Sequence, residues 1–161
     1  MLDNVTQKLS GYSSETDASA IRPLFEALAD RLSSQTTASG ALATASLTPV
    51  TSAALQGFAN GVPFTIASGV SMPALSGTIP AGYYGIFAFF SDGTTVTSAL
   101  GTPGATLAQA KFPTIPKKNA VLGYIIVTSA SPFVGGTTTL ASATVVYVNT
   151  LGAFDPTVLL G

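Results

Sequence analysis

The sequence predicts a mainly β protein: an antiparallel β-sandwich or jelly-roll-like domain preceded by an N-terminal arm that carries a short α-helix. Three observations lead there. From Phe64 onward, runs rich in Val, Ile, Thr, Tyr and Phe alternate with turn residues every dozen or more positions. Helical spacing of apolar residues is clear only near residues 23–33. Polarity comes mainly from Ser, Thr and Gly: charged residues make up 8% of the chain, against about 25% in ordinary soluble domains.

The first nineteen residues are polar, with Leu2, Val5 and Leu9 spaced to allow one amphipathic turn. The helix follows. Pro23 suits its first position, where a missing N–H costs nothing. Ile21, Leu24, Phe25, Leu28 and Leu32 fall on one stripe, with Glu26, Asp30 and Arg31 off it. A helix of about eleven residues is marginal alone, so the stripe must dock, either on the chain's own β domain or on a neighbouring subunit. Residues 35–62 are a low-complexity Ala/Ser/Thr/Leu/Gly stretch, expected as an extended arm with a short helix around Ser52–Phe58. The chain thus divides into an arm, 1–62, and a β domain, 63–161.

Strands are expected at Phe64–Val70, Tyr83–Phe90, Thr94–Ala99, Val121–Thr128 and Ala143–Asn149. Ser91-Asp92-Gly93-Thr94 places an Asp-Gly turn between two of them, a strong hairpin signal. Gly104–Lys111 allows one or two helical turns before Pro113 and Pro116, and Gly135-Gly136 marks a further loop. The strands lack the polar/apolar alternation of a half-solvated antiparallel sheet. In Tyr83–Phe90, both Tyr83, Gly85, Phe87 and Phe89 and the opposing Tyr84, Ile86, Ala88 and Phe90 are apolar faces. In the next strand Val121, Gly123, Ile125 and Val127 oppose Leu122, Tyr124 and Ile126. Such strands need cover on both sides. The expectation is that another subunit supplies part of it, through Leu24, Phe25, Leu28, Tyr83, Tyr84, Phe87, Phe89 and Phe90.

Charge placement points the same way. Between Leu32 and Ser91, sixty consecutive residues include no Asp, Glu, Lys or Arg. A solitary domain scatters charge over its surface to stay dispersed; one with so little is expected to be covered by neighbours. Catalytic groups are scarce. The chain has no His and no Cys, which removes the commonest general base and all thiol chemistry. Beyond residue 31 the only acids are Asp92 and Asp155, each in a turn-like context. No nucleophile elbow or phosphate loop can be drawn. The expectation is a protein without enzymatic activity, metal or cofactor. Lys117-Lys118 is the only basic cluster, read as a solvated loop or as a contact for an acidic patch on a partner. The net charge of −1 steers toward neither nucleic acid nor an anionic membrane. No apolar run approaches the ~20 residues that span a bilayer, and no secretory signal follows Asp3, so synthesis in the cytoplasm is expected.

One stretch resembles a known module. Thr78-Ile79-Pro80-Ala81-Gly82-Tyr83-Tyr84-Gly85-Ile86-Phe87 is followed by Asp92-Gly93-Thr94-Thr95-Val96. The region from Ala105 to Pro116 follows, then Ala120-Val121-Leu122-Gly123-Tyr124-Ile125-Ile126-Val127 and Phe133-Val134-Gly135-Gly136-Thr137-Thr138. This order is similar to a module of tailed-bacteriophage virion proteins and covers roughly residues 78–148. The resemblance implies a structural role in the virion, as a head-decoration (cement) or head-fibre protein, and carries over no catalytic residue. A homotrimer bound to the major capsid protein is the expectation; the alternative is a head-fibre or tail protein that recognises a host receptor or glycan.

Overall fold

The computed structural model describes residues 15–154, with side chains from Ile21 onward. The turn expected at Leu2, Val5 and Leu9 and the one at Asp155-Pro156 lie outside the described residues. The protein is mainly β, its strand pairs are all antiparallel, and one helix, α1 (Glu15–Ser33), precedes them.

The longest strands form the centre. β7 (Tyr84–Ser91) and β9 (Ala120–Thr128) pair along their length, flanked by β8 (Val96–Leu100) and β11 (Thr144–Asn149), in the order β11-β9-β7-β8. The β7–β8 hairpin turns where Asp92-Gly93 predicts. Asp92 Oδ1 accepts the N–H groups of Thr94 and Thr95 at 2.8 and 2.7 Å, and Gly93 supplies the positive φ of 96° that the turn requires. The Thr95 and Thr94 amides hold the Asp92 carboxyl below its ordinary pKa.

A second sheet lies over one face of the first. It is built by β1 (Gln35–Ala38), β4 (Leu55–Ala59) and β5 (Val62–Ile66) in the order β1-β4-β5. Between the sheets Leu55 and Phe64 meet Phe87, Phe89, Ile125 and Val127 in one core. Two small two-stranded sheets close its ends: β2 (Leu42–Thr44) with β3 (Pro49–Thr51), and β6 (Thr78–Ile79) with β10 (Phe133–Val134). Phe133 stands edge-on to Phe87 at 6.1 Å.

The expected separation of residues 1–62 from the β domain does not survive. β4 and β5 are the two arms of one hairpin that crosses the 62/63 boundary, and Leu42, Leu55 and Ala59 share a core with β7 and β9. Polar ties reinforce the join. Asn149 Oδ1 accepts the Leu42 N–H at 2.8 Å, and the buried Thr36 hydroxyl donates to the Thr150 carbonyl at 2.6 Å. The helix expected around Ser52–Phe58 is strand β4. Leu55, Gly57 and Ala59 point inward while Gln56 and Phe58 point out, a period of two.

The other face of the central sheet is also covered, and by the chain itself. Ile86, Ala88, Phe90, Val121 and Tyr124 pack beneath Ala110, Phe112 and Ile115, all from the β8–β9 connection. Phe112 stands edge-on to Tyr124 at 5.4 Å, and Phe154 joins them from beyond β11. Burial raises the Tyr124 phenol above its ordinary pKa. The connection is pinned by reciprocal backbone hydrogen bonds between Tyr84 and Gly104, 2.8 and 2.9 Å, and from Lys111 N–H to the Thr102 carbonyl at 2.9 Å. Its helical content is one 3-10 turn, Leu107–Gln109.

A bulge alters the expected faces of β9. Phe89 pairs with Gly123 but Phe90 pairs with Val121, leaving Leu122 as an extra residue. Leu122 therefore shares the inner core with Ile125 and Val127, while Val121 joins Tyr124 outside. Gly123 sits at the bulge because a Cβ there would lie 2.8 Å from Leu42 Cδ1 and 2.9 Å from the Val148 carbonyl oxygen.

Candidate assembly surface

α1 differs from its sequence-based expectation in length and in the face it presents. It spans nineteen residues and contains Pro23 in its interior, not at its first position. Proline there removes one backbone hydrogen bond and costs about 3 kcal/mol relative to alanine.

The C-terminal end of α1 is bolted to the β body. The Ser33 carbonyl accepts the Gly61 N–H at 2.8 Å, and Ser34 Oγ accepts the Asn60 N–H at 3.0 Å. Asn60 and Gly61 both have positive φ, 51° and 80°, so the tight β4–β5 turn presents its amides to the helix end. One turn upstream, Asp30 Oδ1 accepts the Lys118 N–H at 2.7 Å. Lys118 holds a left-handed φ of 64°, and the Lys117 and Lys118 side chains remain at the surface.

Beyond that point the helix leaves the body. Every residue from Arg22 to Ala29 is exposed, more than two turns around the whole circumference. An open cleft of about 500 Å³ separates it from the loop below, lined by Pro23, Glu26, Ala27 and Asp30 on one side and Ile115 and Lys117 on the other. The face turned toward the body is thus the polar one. The apolar stripe points outward: Leu24 is 70% exposed, Phe25 51%, Leu28 54% and Leu32 56%. Surface helices normally do the reverse. Taking a large apolar side chain at roughly 200 Å² when fully exposed, the stripe presents roughly 450 Å², within the ~300–600 Å² of the largest patch on a typical monomer. Arg22 Nε donates to Glu26 Oε1 at 3.0 Å on the exposed flank; such pairs add only about 0.3–0.5 kcal/mol.

The eight residues expected at an interface therefore separate into two groups. Leu24, Phe25 and Leu28 lie together on the outward seam. The β7 residues do not: Phe87, Phe89 and Phe90 are fully buried in the protein's own cores. Tyr84 is half-buried where the β8–β9 connection joins β7, and Tyr83 alone of this group stays exposed, at 39%. The correction has a plain cause: the second apolar face of the sheet is covered by Phe112 and Ile115 of the same chain. Leu32 belongs to the seam and was visible in the helical spacing, though not singled out.

Among the described residues, no three of His, Cys, Asp and Glu gather as a metal site, and Asp92 is committed to its turn. Every fully buried side-chain N or O among them has a hydrogen-bond partner. No helix of the described residues is long and apolar enough to cross a membrane. The most unusual surface the chain offers is thus an apolar helical seam held away from a closed β body. No family model, curated protein or solved structure matches this chain.

Proposed function

We propose that this chain is a non-enzymatic structural protein of a virion, a decoration protein that binds the assembled head shell. The single observation that carries the reading is the outward apolar seam of α1, beside a β body whose own sheet faces are covered. A helix solvated on every side and interrupted by Pro23 gains stability only when a partner packs on it. The sparse surface charge, with none between Leu32 and Ser91, favours burial of surface among neighbours over life as a dispersed monomer. The likeness of residues 78–148 to a tailed-phage virion module supplies the kind of assembly. Apolar contacts at ~25 cal/mol per Å² would provide most of the binding, so added salt weakens it little.

The test is quantitative mass spectrometry of density-purified particles from the source culture. Copies comparable in number with the major shell protein support decoration of the head. A few copies per particle would move the protein to a fibre or tail, and none at all would sink the virion reading.

A further inference from the structure

We infer that α1 is a self-association element: three copies of this chain join through a parallel bundle of their α1 helices. The inference names the partner for the seam described above; it holds whether or not the assembly is a virion.

The spacing is that of a heptad. Ile21, Phe25, Leu28 and Leu32 recur at intervals of four, three and four, the alternation of d and a positions in a supercoiled seam. In this frame Pro23 and Asp30 share position f, opposite the seam, with Glu26 and Ala27 beside them at b and c. These are the residues that line the cleft toward the body. The contacts of α1 with its own chain and its heptad seam therefore occupy opposite sides of the helix, and both can be satisfied at once.

Three features favour three copies over two. Leu24 falls at g and Ala29 at e, positions that meet between adjacent parallel helices; both are exposed in the single chain and both are apolar, so they complement each other. A two-stranded seam buries chiefly a and d, and would leave much of Leu24, the most exposed residue of the stripe, in water. Leu32 at a and Ile21 at d are choices that shift preference beyond dimers. Area agrees: at roughly 450 Å² a stripe, two copies stay below the ~1,200 Å² where specific interfaces usually begin and three exceed it. Closed threefold symmetry makes the helices parallel. All three bodies then lie at the C-terminal end, where Ser33 and Ser34 tether each helix to its β4–β5 turn.

The experiment is light scattering on the full chain over a concentration series at low and high salt, with three variants. The wild type is expected at three chain masses, insensitive to salt. Leu28→Lys is expected to lower the mass about threefold while the unfolding midpoint of the β body stays put; Val146→Lys, on the exposed edge of β11, is expected to remain trimeric. Since the chain has no cysteine, Leu32→Cys offers a clean second readout: mild oxidation is expected to yield covalently linked pairs in a parallel bundle. A wild type that stays monomeric or stops at dimers overturns the inference, as does a trimer that survives Leu28→Lys unchanged. A monomer found at high copy in particles would sink the bundle and leave the proposed function standing; a trimer absent from particles would do the reverse.

Discussion

The β body and α1 handle apolar surface in opposite ways. In the body, both faces of the central sheet are apolar, yet each finds its cover within the chain: β1, β4 and β5 on one side, the β8–β9 connection on the other. In α1 the apolar side chains have no cover, and the polar side faces the only neighbour. The difference teaches that an apolar strand and an apolar helical stripe do not carry equal weight as signs of a partner. A strand buried on both faces is what a three-layer arrangement of one chain produces. A stripe that points away from its own body is a surface without an intrachain solution.

The largest effect should come from breaking the body. Phe87→Ala, at the centre of the inner core and edge-on to Phe133, is expected to cost about 3–5 kcal/mol in denaturant unfolding. A midpoint that barely moves would mean that the sheets are not held together there. Gly123→Ala comes next. Its Cβ would press on Leu42 and on the Val148 carbonyl, and we expect a loss of about 1–3 kcal/mol, read by the same melt; a neutral result would show that the β9 bulge can relax.

Pro23→Ala sharpens the contrast from the other side. It should favour the α1 helix by about 3 kcal/mol and raise the far-ultraviolet helical signal. The body's midpoint should shift by less than about 0.5 kcal/mol; a larger shift would show the two regions to be one cooperative unit. The smallest effect concerns the β7–β8 turn. The Asp92 pKa is lowered on folding, so its contribution is complete above the unfolded carboxylate value of ~3.9 and is lost as pH falls through the lower folded value. Nuclear magnetic resonance titration should find the Asp92 carboxyl ionising below that unfolded value; a normal titration would remove the two amide hydrogen bonds as its cause.

Much of the β body was legible in the chain because its main strands are long. Tyr84–Ser91 and Ala120–Thr128 lie within a residue or so of their expected bounds, since eight or nine β-branched and aromatic residues leave little competition. Residues 35–62 were harder. β1, β2 and β3 are three or four residues each, too short to show a period, and their Ala, Ser and Thr residues have no strong preference. β4 did carry a signal, the alternation of Leu55, Gly57 and Ala59, but small residues in that pattern also fit a helix. The bulge at Leu122 could not be foreseen: it arises from how β9 pairs with β7, and it reverses the facing of every residue beyond it. For the candidate surface, the stripe of Leu24, Phe25, Leu28 and Leu32 was plain from spacing, whereas its direction was not.

By itself the sequence determined the class of the fold, the helix and its stripe, the Asp92-Gly93 hairpin and the shortage of catalytic groups. Each follows from local chemistry: side-chain period, turn geometry and residue type. Only the tertiary structure decided which apolar faces are spent internally, because cover comes from segments distant in sequence. Phe112 and Ile115 close over Phe90 and Tyr124, while the Asn60-Gly61 turn and Lys118 seize the polar side and C-terminal end of α1 and leave its leucines facing out. An apolar residue announces that it will be buried; which surface buries it depends on where the rest of the chain comes to lie.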